Sequence, residues 1–240
     1  HRLIRRQRQM CIRDRKKQTQ FIASASHELR TPLAVVRSGL ESVEKCSNEE
    51  ERNHFLHLMS EETVHMKRLI DDMLLLANSD ADTLTIKPEA CQPDLLLLDT
   101  YEKFEPLAKK NGLHLILTLP EEILPDCFCD IHRTEQIFSI IVDNALCYTP
   151  SGGKVTLSCH AENEMLCFLF EDTGCGISEE KKSHIFERFY RADDAHTDRE
   201  HFGLGLCIAK ELTEKQNGNI QVVDAPISGS CFMVQLPCAL

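Results

Sequence analysis

Residues 21–33 read Phe-Ile-Ala-Ser-Ala-Ser-His-Glu-Leu-Arg-Thr-Pro-Leu, and they predict a helix that carries reactive side chains. Apolar or small residues recur at steps of three and four, as in a helix that packs against other helices. They are Ile22, Ser26, Leu29, Leu33, Val36, Leu40 and Val43. His27 falls beside this seam, next to Glu28 and four residues before Thr31. We therefore predict that His27 and Thr31 share a solvent-facing side of the helix.

His27 taken alone is most simply an exposed helix histidine, since short motifs match often by chance. However, the whole stretch from His27 to Leu33 resembles the phosphoacceptor box of sensor histidine kinases, His-Glu-hydrophobic-Arg-Thr-Pro-Leu, at all seven positions. The resemblance implies that His27 is the nucleophile that accepts a phosphoryl group. It also implies that Glu28 orients the imidazole ring and takes its proton.

A second helix follows a turn at residues 46–50, where Cys-Ser-Asn-Glu-Glu supplies a cap. Its apolar face is wider than a coiled-coil seam. The face consists of Phe55, Leu58, Met59, Met66, Leu69, Ile70, Met73, Leu74 and Leu76. Two antiparallel helices cannot bury such faces alone, so we predict a homodimer that forms a four-helix bundle. The alternative is that both helices pack on a second domain of the same chain.

The length of 240 residues and a hydrophobic content of 42% favour two modest domains over one large domain. We predict a linker helix at 1–20, a dimerisation and phosphotransfer domain at 21–80, and a second domain at 90–240. Residues 78–92 are turn-rich, with a short strand expected at Leu84–Lys87. Residues 10–14, Met-Cys-Ile-Arg-Asp, are similar to a translated sequencing adapter, so we infer no function from residues 1–15.

Acidic residues exceed basic ones by 38 to 27, and residues 1–17 hold eight of the basic residues. The acidic remainder does not suit nonspecific nucleic-acid binding. No run of 18 apolar residues and no signal peptide occur, so we expect a soluble piece. Because the chain begins with His1, we expect a missing upstream sensor segment. A basic start followed by a helical core is typical of the cytoplasmic side of an inner-membrane sensor. The 12 cysteines form no Cys-x-x-Cys pair, and we interpret most of them as small core residues in a reducing compartment.

The second domain alternates helical and strand patterns, which predicts an α/β sandwich of mixed strand order. Helices are expected at 93–111, 131–148 and 203–217. Strands are expected at 113–119, 154–161, 164–172, 219–224 and 230–236.

Polar and glycine-rich segments interrupt this domain at four places. They are Asp143-Asn144 with Tyr148, Glu-Asp-Thr-Gly-Cys-Gly-Ile at 171–177, His-Phe-Gly-Leu-Gly-Leu at 201–206, and Ser-Gly-Ser-Cys-Phe at 228–232. Their order resembles the nucleotide-binding boxes of histidine-kinase ATPase domains, the Bergerat fold. With the phosphoacceptor box, the resemblance covers about residues 20–237. It implies a helical-hairpin dimerisation domain followed by an α/β sandwich ATP-binding domain.

The resemblance also implies a role for each matched residue. Asp172 is expected to accept a hydrogen bond from the adenine amino group, which guanine lacks, and Asn144 to hold Mg²⁺. Arg191, in a lid at 187–202, is expected to reach the γ-phosphate, although a solvated lid charge is the alternative. Further cofactor-binding positions are Tyr148, Gly174, Gly176, Gly203, Leu204, Gly205 and Leu206.

Two positions depart from the family pattern. Ile140 replaces a usual asparagine, and Cys147 replaces a usual lysine or arginine. We therefore expect fewer contacts to the metal and the phosphates. Arg191, Lys210 or Tyr148 are the candidates to supply the missing contacts.

The sequence thus predicts an ATP-dependent protein-histidine kinase with ATP and Mg²⁺ as cofactors. Its partner would be the receiver domain of a response regulator, whose aspartate takes the phosphoryl group. Thr31 suggests an added phosphatase activity, unless its hydroxyl only bonds the helix backbone. The alternative function is a non-catalytic nucleotide-binding dimer that signals by conformation.

Overall fold

The computed structural model of the chain describes residues 2–191, 202–225 and 229–239. It divides into two compact units. The helical unit extends to Leu75, and the sheet unit begins at Leu76. Among the described residues, no helix is long and apolar enough to cross a membrane.

Two long helices build the helical unit, and the last residues of the second helix belong to the sheet unit. Helix α1 spans Arg2–Lys45 and α2 spans Glu49–Asp80. The turn between them is capped by Asn48, whose Oδ1 accepts a hydrogen bond from the Glu50 N–H at 3.0 Å. Helix α1 runs through Pro32 without ending, although proline cannot donate the backbone hydrogen bond expected there. The predicted helical hairpin is confirmed.

None of the seam residues predicted on α1 is buried in the single chain. Ala25, Pro32 and Gly39 are buried at intervals of seven residues. A Cβ atom at Gly39 would lie 2.7 Å from Cγ of Met59, so the missing side chain lets α1 and α2 approach closely. Three residues of the predicted seam, Ile22, Leu33 and Leu40, remain more than half exposed in the single chain. The buried line on α1 therefore runs one residue before Ser26, Leu33 and Leu40 of the predicted seam.

The sheet unit contains three long helices, one short helix and seven strands within its described residues. The helices are α3 Pro93–Lys110, α4 Ile131–Tyr148, α5 Glu179–Lys182 and α6 Gly205–Glu214. The strands are β1 Glu89–Cys91, β2 His114–Thr118, β3 Cys127–Cys129, β4 Lys154–Glu162, β5 Met165–Asp172, β6 Asn219–Asp224 and β7 Ser230–Pro237.

Five strands form the main sheet in the order β2-β4-β5-β7-β6. Strands β2 and β4 pair in parallel, and the other neighbours are antiparallel. Helices α3, α4 and α6 cover the sheet as one layer. Phe138 of α4 packs against Phe168 and Phe170 of β5, with ring centroids 4.8 and 5.0 Å apart. The α/β sandwich predicted from the sequence is confirmed.

The prediction of a short strand at Leu84–Lys87 is wrong. The strand lies at Glu89–Cys91 instead and pairs antiparallel with β3, a strand that the sequence did not reveal. The backbone N–H of Lys87 donates to Oδ2 of Asp130 at 2.9 Å, so this residue is held by a side chain rather than by a strand partner. Three-residue strands are too short to show an alternating pattern.

Candidate functional site

His27 lies on α1 with 75% of its side chain exposed. Its Nδ1 atom is 3.5 Å from Oε1 of Glu28, which is 34% exposed. In the tautomer of the neutral imidazole with the proton on Nδ1, that proton faces the carboxylate and Nε2 keeps its lone pair. Thr31 is exposed one helical turn later. The structure thus places all three predicted residues at the surface of the helical unit.

Asp172 ends β5 and is 5% exposed. Its Oδ1 atom accepts hydrogen bonds from the backbone N–H groups of Gly174 at 2.8 Å and Ser230 at 3.2 Å. Burial raises the pKa of this carboxyl, and the two backbone donors act against that rise. A carboxylate can accept about four hydrogen bonds, so these two fix its orientation without using its full capacity.

Glycines let three chain segments meet around Asp172. A Cβ atom at Gly174 would lie 2.5 Å from the carbonyl oxygen of Tyr148. Gly229, with φ +91°, has no room for one because it would overlap the carbonyl oxygen of Asp172. Gly176, with φ +74°, lies beside the carbonyl of Gly229. The C-terminal end of α4, the loop after β5 and the start of β7 therefore converge at one point.

The glycine-rich start of α6 lies against α4. A Cβ atom at Gly205 would be 3.1 Å from Cγ2 of Ile140, one turn before the half-exposed Asn144. Ile140, which departs from the family pattern, thus packs at the N-terminal end of α6. No side chain caps this end at Leu204, which is buried. Backbone N–H groups and the positive end of a helix dipole favour phosphate binding.

Gly203 joins this helix start to the first residues of the predicted lid. Its φ is +70°, and its carbonyl accepts a hydrogen bond from the Phe189 N–H at 2.9 Å. Leu206 continues the first turn of α6. Residues 192–201 of the lid, with His201, lie outside the described residues.

The residues considered for phosphate contacts occupy different positions. Arg191 is exposed at the end of the described part of the lid segment. Lys210 lies 3.8 Å from Oε1 of Glu214 and 5.7 Å from the ring centre of Phe186, so it is already paired on α6. Cys147 and Tyr148 are exposed at the end of α4.

Three residues that position this region were missing from our sequence-based set. Gly229 and Ser230 hold Asp172, and the Ser-Gly-Ser run before β7 was their signal. Arg188 binds the carboxylate of Asp80 at 2.7 Å, and nothing in the sequence pairs residues so far apart.

The groups around Asp172 have the chemistry to bind a purine nucleotide. A buried acceptor that is held rigidly can bind an exocyclic amino group, and nearby glycines allow a flat base to approach the backbone. The amide oxygen of Asn144 is a hard ligand of the kind that Mg²⁺ prefers.

Comparisons with known proteins give two family matches. Residues 17–82 match the His Kinase A (phospho-acceptor) domain. Residues 129–240 match the Histidine kinase-, DNA gyrase B-, and HSP90-like ATPase.

Three known proteins illustrate the similarity. Sensor histidine kinase RppB from Synechocystis sp. is 34% identical over 226 residues, which cover 92% of the chain and 49% of RppB. Full-length ShkA, solved in complex with AMPPNP, is 28% identical with a TM-score of 0.71, covering 92% of the chain and 46% of ShkA. Histidine kinase ThkA, solved in complex with response regulator protein TrrA, is 18% identical with a TM-score of 0.73, covering 94% of the chain and 65% of ThkA.

The chain spans about half the length of RppB and of ShkA. Both matched domains occur in the order that the phosphoacceptor box and the glycine boxes predict. With its exposed His27 and its anchored Asp172, the chain belongs to the sensor histidine kinases of bacterial two-component systems.

Proposed function

We propose that this chain phosphorylates its own His27 with ATP and then passes the phosphoryl group to an aspartate of a response regulator. The observation that carries the proposal is the exposed imidazole of His27, whose Nδ1 atom faces Glu28. This contact presents a neutral Nε2 atom to an incoming phosphorus.

ATP is the proposed phosphoryl donor. The Asp172 carboxylate would accept a hydrogen bond from the adenine amino group, while guanine would present an oxygen there and leave two acceptors face to face. Such a mismatch costs about 1–3 kcal/mol or more. ShkA was solved with the ATP analogue AMPPNP, which supports the assignment.

Asn144 would hold Mg²⁺, with Gly203, Leu204, Gly205 and Leu206 at the phosphate end of the nucleotide. Mg²⁺ supplies neutralisation of charge on the phosphate oxygens. The backbone N–H groups at the start of α6 would bind the same phosphates. Arg191 would stabilise the charge that spreads over the transferring group.

In the proposed step, Nε2 of His27 forms a bond to the γ-phosphorus. The bond from that phosphorus to the oxygen bridging to the β-phosphate breaks, and ADP leaves with the electron pair. The proton on Nδ1 goes to Glu28, so the phosphorylated ring becomes neutral. Glu28 is close enough for this role after a small rotation of either side chain.

We further propose a homodimer as the active form and a receiver domain as the partner. Large apolar side chains stay exposed on both helices of the single chain, and a second copy would cover them. They are Ile22, Leu33 and Leu40 on α1, with Leu56, Val64, Ile70 and Leu74 on α2. ThkA was solved with a response regulator, which supports the choice of partner. We place the reaction at the cytoplasmic face of a membrane sensor.

The same proposal includes a phosphatase activity in which Thr31 positions a water on the regulator's aspartyl phosphate. Thr31 is exposed one turn from His27, so both side chains would meet the same docked surface.

Incubation of the full chain with γ-³²P-labelled ATP and Mg²⁺ tests the kinase proposal. We expect an acid-labile, base-stable label on the parent and none on His27→Gln. His57→Gln is a matched control, because His57 is 72% exposed and its Nδ1 lies 3.4 Å from Glu61. A label that survives in His27→Gln would contradict the assignment.

The non-catalytic alternative is favoured by Cys147, which is exposed where the family has a cation. ATP binding by calorimetry with no label on any residue would support that alternative over the kinase.

A further inference from the structure

Three cysteine thiols meet beside the small sheet of β1 and β3. Cys91 ends β1, directly opposite Cys127 of β3. Cys127 and Cys129 are two residues apart, so both side chains point to the same face of the strand. The three sulfur atoms all lie within 4.8 Å of one another, and Sγ of Cys91 is 3.4 Å from Sγ of Cys129.

These separations suit three ligands of one metal ion. With metal–sulfur bonds of about 2.3 Å, sulfur ligands of one ion stand about 3.8–4 Å apart. Small side-chain rotations would therefore bring the three atoms to bonding positions. A buried packing role would need the volume of three small residues, but not their sulfur atoms in mutual contact.

The surroundings leave the thiols available as ligands. The carboxylate oxygens of Asp130, the residue after Cys129, already accept from the backbone N–H groups of Lys87 and Arg133 at 2.9 and 3.1 Å. Its own N–H donates to Gln216 at 2.7 Å. Within the described part of the chain, this group of ligand atoms has three members.

The cluster is closed on one side and open on the other. Cys127 and Cys129 are fully buried, whereas Cys91 is partly exposed. An ion could therefore enter past Cys91 and then be shielded from water by the strand pair. The N-terminal end of α4 follows Cys129 by two residues, and its positive dipole end favours negative charge nearby.

We propose that Cys91, Cys127 and Cys129 bind one thiophilic d¹⁰ metal ion, Zn(II) or Cu(I). Binding forms three metal–sulfur bonds and releases the three thiol protons to solvent. Cu(I) accepts three thiolates as a complete set, and Zn(II) adds a water on the open side of Cys91. The ion would join β1, which precedes α3, to the strand that leads into α4.

The test uses the full chain, reduced and loaded with Zn(II) alone or Cu(I) alone in the presence of a competing chelator. We expect native mass spectrometry to find one additional bound metal ion per chain in the parent compared with Cys91→Ser. Cys46→Ser is the matched control, because Cys46 is also partly exposed but lies in the turn of the helical unit. It should bind as the parent does.

A melting experiment gives a second measurement. The ion that binds should raise the Tm of the parent and of Cys46→Ser, but not that of Cys91→Ser, because a ligand stabilises the folded state that binds it. The metal, Zn(II) or Cu(I), that both binds in mass spectrometry and raises the Tm is the ion of this site. Cys129→Ser should lose binding as well, and if it does not fold, Cys91→Ser decides.

Equal metal content in the parent and Cys91→Ser would overturn the proposal. So would a Cys91–Cys129 disulfide in the protein together with no metal uptake after full reduction. Both results are independent of histidine phosphorylation.

Discussion

The guanidinium group of Arg188 binds the carboxylate of Asp80 at two points, with Nη1 to Oδ2 and Nη2 to Oδ1 both at 2.7 Å. Asp80 ends α2, and Arg188 lies in the segment predicted as a lid at 187–202. Two further contacts join the same regions. Ser79 donates to Oε2 of Glu211 on α6 at 2.8 Å, and Lys215 pairs with Asp82. The last turn of α2 is therefore fixed to α6 and to the lid segment inside the sheet unit.

Asp80→Asn should lower the free energy of unfolding of the sheet unit at neutral pH. An exposed ion pair of good geometry contributes about 0.5–1 kcal/mol. The hydrogen bonds from Arg188 hold the pKa of Asp80 below its ordinary value of 3.8. A lowered folded-state pKa stabilises the fold above the unfolded-state pKa, and this contribution is lost as pH falls through the folded-state pKa. Urea titrations from neutral to acid pH measure the difference.

Asp99→Asn is the control for this experiment, since Asp99 is an exposed carboxylate on α3. It should leave the pH profile of the parent unchanged. A constant difference between the parent and Asp80→Asn at every pH would show that the ion pair does not stabilise the fold.

Gly229→Ala should be far more damaging than Gly152→Ala. Both glycines have positive φ, +91° and +83°, so alanine strains the backbone at each by about 1–2 kcal/mol. At Gly152 nothing lies within 4 Å of the added Cβ, whereas at Gly229 the Cβ would overlap the carbonyl of Asp172. We expect Gly229→Ala to lose both stability and ADP binding, as measured by thermal melting and calorimetry. Equal effects of the two changes would mean that the loop at Gly229 can move away from Asp172.

Asp172→Asn should weaken the binding of ATP and ADP alike without destabilising the fold. The amide oxygen can still accept from the Gly174 and Ser230 N–H groups, but the amide nitrogen presents a donor where adenine also donates. We expect affinities for ATP and ADP to fall at least about tenfold, which is 1.4 kcal/mol. Asn144→Asp, in contrast, should mainly weaken the Mg²⁺-dependent step. Unchanged ATP affinity of Asp172→Asn in calorimetry would contradict the adenine assignment.

The pH dependence of this variant has a defined sign. Burial raises the pKa of Asp172 above its ordinary value. A carboxyl with a raised folded-state pKa loses its favourable contribution as pH rises through that pKa. The free energy of unfolding of Asp172→Asn should therefore increase relative to that of the parent as pH rises toward neutral. Equal pH profiles of the two proteins would show that burial does not raise the pKa of Asp172.

Local patterns predicted most elements of the fold, and contacts between distant residues account for what was missed. The periodicity of residues 131–148 predicted α4 with the bounds that the structure gives. Arg188 and Asp80 are 108 residues apart, and no local pattern joins them. Likewise, Cys91 and Cys129 meet only because β1 pairs with β3, and each of these strands is three residues long. The glycine boxes indicated Asp172, but its two backbone donors depend on how the loops close.

Cys147→Lys should strengthen ATP binding or speed phosphorylation. The Cys147 side chain is exposed near Asn144 at the end of α4, so a longer side chain meets no core there. A lysine that reaches a phosphate contributes about 0.5–1 kcal/mol, or about two- to fivefold in affinity. Cys147→Gln adds similar length without charge and should show no gain. ATP affinity and phosphorylation rate equal to the parent's would mean that another group already fills this role.

Thr31→Ala should separate the two proposed activities of the helical unit. Thr31 is exposed one turn after His27, so its hydroxyl can approach an aspartyl phosphate on a regulator docked there. Because that phosphoryl group is already activated by the regulator's own metal site, positioning a water is most of what hydrolysis requires. We expect retained autophosphorylation and a slower loss of phosphate from purified phospho-regulator. If the Thr31 hydroxyl only bonds the helix backbone, both activities should instead change together with the melting temperature of α1 and α2. Thr31→Ser keeps the hydroxyl and should restore the phosphatase rate, and dephosphorylation by Thr31→Ala at the parent's rate would refute the catalytic role.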